Sequence, residues 1–122
     1  ISDVDKSPIA GSIEFINKLN EENIPYMVIT NNTKKASNDF YNYLKSIGFN
    51  FEFSSYLNPL MLLESRVKKD AVAAYGADEF LNTLVNMGYK LDYKNPKIIL
   101  IAIKEDFFAD EYAQMIDFLL AG

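Results

Sequence analysis

Thr30-Asn31-Asn32-Thr33 puts four small polar side chains in a row, directly after the apolar run Tyr26-Met27-Val28-Ile29. Thr30 offers a hydroxyl, Asn31 and Asn32 offer amides, and the peptide N–H groups of a turn can join them. Such a donor cluster suits a phosphoryl or carboxylate group. An abrupt change from apolar to polar reads as a buried parallel strand over Tyr26–Thr30 whose carboxyl end opens into a loop. Open α/β sheets bind ligands at that edge, where free backbone groups and helix N-termini gather. The same four residues would equally serve as a turn and helix cap.

Composition removes other chemistries. The 122 residues contain no cysteine and no histidine, which excludes disulfides, thiol catalysis, His-ligated zinc and His-based triads from this chain. A net charge of −5, with Arg66 as the sole arginine, speaks against a nucleic-acid surface. Hydrophobic content of 49% with 24% charged residues is that of a soluble globular protein, and no apolar run approaches the ~18 residues of a membrane span. A cytoplasmic location fits this composition.

The elements that must position the Thr30 loop can be read in order. Ser12–Glu22 carries Ile13, Ile16 and Leu19 at helical spacing, opposite Glu14, Lys18 and Glu21. Ala36 or Ser37 opens a second helix with Phe40, Leu44 and Ile47 inward, and Gly48 provides a left-handed cap. Phe51–Ser54 alternates as a short strand would. Pro59 suits the first turn of a helix in which Leu60, Leu63 and Val67 share a face. Lys68-Lys69-Asp70 is a polar break, and the domain boundary is set there. Beyond it come a strand Ala71–Tyr75, a helix containing Phe80, Leu81, Leu84 and Val85 that ends at Gly88, and an extended Tyr89–Tyr93. The run Ile98–Ile103 reads as a strand central to its own sheet, and a last helix covers Ala109–Ala121 with Tyr112, Met115, Ile116 and Leu119 apolar. The unit from Ala71 is thus strand–helix–strand–helix.

Pro8-Ile9-Ala10-Gly11 leading through a helix to Ile24-Pro25 and then Thr30-Asn31-Asn32-Thr33, followed by Tyr41, Leu44 and Ile47-Gly48-Phe49, resembles the haloacid dehalogenase (HAD) superfamily. The likeness is greatest to the NagD-like phosphatases with a C2-type cap. It implies an α/β fold: a partial Rossmann-like parallel-sheet core over 1–69 and part of an inserted α/β cap over 70–122. It makes Thr30 the second-motif hydroxyl that bonds the transferring phosphoryl group, with Asn31 and Asn32 beside it in the phosphate cradle.

The resemblance further implies a Mg²⁺-dependent phosphomonoester hydrolase acting through an aspartyl-phosphate on a small phosphorylated metabolite, with a homodimer formed through the cap. A second aspartate two residues after the nucleophile would act as general acid and base. Asp3 and Asp5 have that spacing, but no apolar strand precedes them and no Gly-Thr follows, so they read as a solvated acidic loop. The sequence reads as a fragment lacking its first strand, without identifiable nucleophile, lysine or metal ligands, and is expected to be inactive as written. Lys34 and Lys35 beside the phosphate loop read as solvated. Lys104 follows a strand, where a lysine could neutralise phosphate, but it falls within the cap and reads as surface or cap lining. Two other functions compete: a non-enzymatic α/β interaction module on the HAD scaffold, and a receiver-like signalling domain using Asp3, Asp5, Thr30 and Lys104. The latter lacks an acceptor aspartate at the end of an intervening strand.

Overall fold

The computed structural model describes residues 7–33 and 35–122. They form two compact units, one of the described residues up to Asn32 with Ser37–Pro59, the other of Leu60–Gly122 with the described residues of Thr33–Ala36.

In the first unit, helix α1 (Ser12–Glu21) presents Ile16 to the core, flanked by the half-buried Ile13 and Leu19. Strand β1 (Val28–Ile29) pairs in parallel with β2 (Tyr56–Leu57), Val28 opposite Tyr56 and Ile29 opposite Leu57. Helix α2 (Ser37–Ser46) buries Leu44. Gly48 after it adopts φ 108°, and a Cβ there would stand 3.0 Å from the Ile13 Cδ1, so both conformation and space call for glycine. Phe49, Phe51 and Tyr56 complete this core with Val28.

Two expectations change here. Phe51–Ser54 is not a strand: Phe53–Ser55 is a short 3₁₀ turn, and the strand follows it. The Phe-x-Phe alternation instead wraps both rings edge-on around Tyr41, at 5.4 and 5.1 Å between centroids. Nor is the Tyr26–Thr30 run buried on both faces, since Val28 is buried while Ile29 is 69% exposed. The described sheet has two strands and one covered face.

The second unit is a three-stranded parallel sheet in the order β4 (Lys90–Leu91), β3 (Ala71–Tyr75), β5 (Ile98–Ile101). Helix α3 (Pro59–Arg66), α4 (Asp78–Asn86) and α5 (Ala109–Ala121) accompany it. β3 alternates between two cores, as period-2 geometry requires. Val72 and Ala74 pack with Leu60, Phe80, Leu84 and Tyr89, while Ala73 and Tyr75 pack with Met115.

The middle strand is therefore β3, not the Ile98–Ile103 run, which lies at the edge with Ile101 62% exposed. Apolarity reports how much surface a strand could bury, whereas rank in the sheet depends on which neighbours bind it. Likewise only Met115 of the α5 stripe is buried; Tyr112, Ile116 and Leu119 are exposed. The contact boundary falls at Pro59–Leu60, whereas the polar break lies at Lys68–Asp70. α3 joins the second unit because Leu60, Leu63 and Val67 pack with the β3 core, and the Tyr89 hydroxyl donates to Val67 O at 2.8 Å.

Candidate functional site

β1 delivers Thr30 to the carboxyl end of a parallel pair. The Thr30 amide is already committed, donating to Leu57 O at 3.0 Å and carrying the ladder one residue past Ile29. What Thr30 can offer a ligand is thus its hydroxyl, followed by the groups of Asn31 and Asn32. Thr30 and Asn32 are half-buried and Asn31 is exposed.

The Thr30 hydroxyl lies 3.3 Å from the phenol oxygen of Tyr56, a residue only 1% exposed. Asn58 Nδ2 donates to that same phenol at 3.2 Å, and the Ser37 hydroxyl donates to Asn58 Oδ1 at 3.0 Å. Asn58 is as deeply buried as Tyr56, so its amide has to be satisfied from within. The end of β1, the start of α2 and the end of β2 thereby converge on four polar side chains. Sequence reasoning finds Thr30 but reads Ser37 only as a helix start and passes over Tyr56 and Asn58. Pairing the strands in the right register would have exposed the set, because one step beyond Ile29–Leu57 brings Thr30 level with Asn58.

Asp3, Asp5 and Lys34 lie outside the described residues; Lys35 is exposed. Among the described residues no three carboxylates or other ligating side chains gather closely enough to hold a metal ion. They do not by themselves fit Mg²⁺, and no metal-dependent step is assigned to them. No described helix is long and apolar enough to cross a membrane.

Lys104 stands in the second unit at a cleft of about 250 Å³, lined by Tyr75, Asp78, Tyr93, Lys104, Glu111 and Gln114. Its ammonium is paired with the Glu111 carboxylate and lies over the Phe107 and Phe108 rings, 5.5 and 5.4 Å from their centroids. Glu111 also accepts the Phe108 N–H at 3.2 Å. The hydrogen bond from Lys104 holds the Glu111 carboxyl below the usual glutamate range, aided by the Phe108 amide. Burial raises the Tyr75 phenol, whose hydroxyl donates to Gln114 at 2.6 Å. The positive charge of Lys104 is thus already neutralised within its own unit.

Residues 4–90 match the family model described as haloacid dehalogenase-like hydrolase. Among solved structures, NagD from E. coli K-12 superposes with a TM-score of 0.73 at 17% identity, covering 100% of this chain and 50% of that one. A 4-nitrophenylphosphatase from Thermotoga maritima gives 0.74 at 19%, covering 98% and 47%. A glycerol phosphate phosphatase from Mycobacterium tuberculosis, solved in complex with magnesium, gives 0.65 at 15%, covering 95% and 37%. At these identities the likeness establishes the fold, a NagD-like α/β arrangement with parallel sheets. The chain spans about half the length of such relatives or less. No match was found among the curated proteins.

Proposed function

The chain belongs to the haloacid dehalogenase-like hydrolase family, and on that premise we propose that it is part of a phosphomonoester hydrolase whose phosphate cradle is Thr30, Asn31 and Asn32. The observation that carries this reading is the position of Thr30. Its hydroxyl stands at the carboxyl end of a parallel strand while its amide is held by Leu57, the edge at which α/β sheets take ligands. Residues 1–69 then belong to the core and 70–122 to the cap. Two solved relatives are described as phosphatases of 4-nitrophenyl phosphate and glycerol phosphate, which supports a small phosphorylated metabolite as the substrate class. The aspartyl nucleophile and the Mg²⁺ ligands are assigned to no described residue; the chemistry derived for this chain is donation to phosphoryl oxygens.

Hydrogen bonds aimed at oxygens that gain charge in the transition state are worth more there than in the ground state. In the parent protein, Thr30→Val keeps shape and strand propensity but removes the donor. Turnover of a generic phosphomonoester should fall by about 10²–10³, equivalent to about 2–4 kcal/mol, with the melting temperature little changed. Undiminished kcat would refute the role, and an equal collapse of the melting temperature would reduce Thr30 to a turn residue.

A further inference from the structure

We propose that Tyr56 is a positioning residue that fixes the direction of the Thr30 hydroxyl proton, as the last link of a relay running Ser37 to Asn58 to Tyr56 to Thr30. The inference rests on the phosphate-binding reading above and adds how the Thr30 donor is aimed.

The order of donors follows from what each group can accept. The Ser37 hydroxyl donates to Asn58 Oδ1 at 3.0 Å, with the amide's NH₂ turned toward Tyr56. Asn58 Nδ2 donates to the Tyr56 oxygen at 3.2 Å. An amide NH₂ has no lone pair to offer the phenol proton, so that proton must go elsewhere. The Thr30 Oγ1, 3.3 Å away, is the oxygen beside it. Once Thr30 accepts from Tyr56, its own proton cannot point back along the same line and turns toward the loop side, where a phosphoryl oxygen would sit.

A separation of 3.3 Å is longer than the ~2.8 Å of a full O–H···O bond. It should shorten when Thr30 donates to a ligand, because a hydroxyl that gives its proton to an anion becomes a better acceptor. Catalytic hydrogen bonds commonly tighten in this way on binding. The relay is also buried and closely packed. Tyr56 and Asn58 are both at 1% exposure, and the Tyr56 ring is packed against Tyr41, Phe51 and Phe53 at 6.0, 6.3 and 6.0 Å between centroids. Ordinary core packing explains the ring of Tyr56, but a phenylalanine would supply it equally well. The hydroxyl is what the relay requires.

The test is a double-mutant cycle on turnover in the parent phosphatase, with generic phosphomonoester as substrate. Tyr56→Phe keeps the ring and removes the hydroxyl, both the donor beside Thr30 and the acceptor of Asn58 Nδ2. It should lower kcat about three- to tenfold, the worth of one neutral hydrogen bond, while KM moves less than about twofold. In a Thr30→Val background the same change should lower kcat no further, because the group being aimed is gone. Ser37→Ala, which leaves the phenol untouched and releases only the amide's orientation, should give a smaller fall that is likewise abolished in Thr30→Val. The positioning role is overturned if Tyr56→Phe leaves kcat unchanged although Thr30→Val lowers it. It is equally overturned if its full effect persists in the Thr30→Val background, the signature of a general structural effect. If Thr30→Val itself leaves kcat unchanged, the phosphate-binding reading fails and the relay falls with it.

Discussion

Gly76, at the end of β3 where the chain turns toward α4, is the place where one added methyl group should do measurable harm. Its φ is not in the left-handed region, so backbone strain does not enter. Two opposing effects remain. Alanine narrows the unfolded ensemble, which alone would stabilise by about 0.4–1 kcal/mol. Against it, a Cβ at this position would meet Phe80 Cδ1 at 2.6 Å, Phe80 Cγ at 3.3 Å and Ala102 Cβ at 3.2 Å. Carbon atoms sit comfortably at about 3.5–4.0 Å, so the Phe80 ring must retreat by about an ångström. Its retreat is resisted, because the ring is buried and packed in the cluster of Leu60, Val72, Leu84 and Tyr89. Overpacking of this kind costs about 1–3 kcal/mol, which outweighs the entropic gain and leaves a net loss of about 0.5–2 kcal/mol. Thermal unfolding of Gly76→Ala followed by far-ultraviolet circular dichroism should show a midpoint lowered by about 2–8 °C. Because the damage is a clash with one ring, Phe80→Leu should partly relieve it. The double variant should then lose less than the sum of the two single losses. A Gly76→Ala midpoint at or above the parent value would refute the steric reasoning, and strict additivity would refute the assignment to Phe80.

Two further outcomes follow from the second unit. Glu111 should titrate below the ordinary ~4.3 of glutamate and move back up in Lys104→Met, read by carbon-detected NMR; because its folded pKa is depressed, its contribution to stability is present above the unfolded value and disappears as pH falls through the folded one. An unshifted Glu111 in both proteins would remove the ion pair from the account of this cleft. Tyr89→Phe deletes the bond to Val67 O at the end of α3 and should cost about 1 kcal/mol, with amide exchange accelerating in α3. Unaltered exchange there would argue that α3 is held by other contacts.

The sequence by itself determined those elements whose signal is local. Helical spacing of apolar residues, with Pro59 at a first turn, Gly48 as a left-handed cap and Gly88 as a helix end, located α1 to α5, and α5 occupies Ala109–Ala121 as expected. The apolar run Ala71–Tyr75 is the strand β3, and the switch from Ile29 to Thr30 marked the end of β1. Each of these depends on φ/ψ preference and side-chain period over a few residues, which a chain carries in its own order. Strand rank and neighbour identity are different quantities. Val-Ala-Ala-Tyr became the middle of its sheet and Ile-Ile-Leu-Ile the edge, because pairing is decided between segments far apart in the chain and small alanines admit close packing on both faces. For the same reason Phe51–Ser54 imitated a strand while its rings closed on Tyr41. The polar set around Thr30 is likewise a tertiary product. Tyr56 lies 26 positions from Thr30 and Asn58 lies 21 from Ser37, and nothing in local spacing brings such residues together. A parallel register does so, because it sets strand ends level and turns distant side chains into neighbours at one edge.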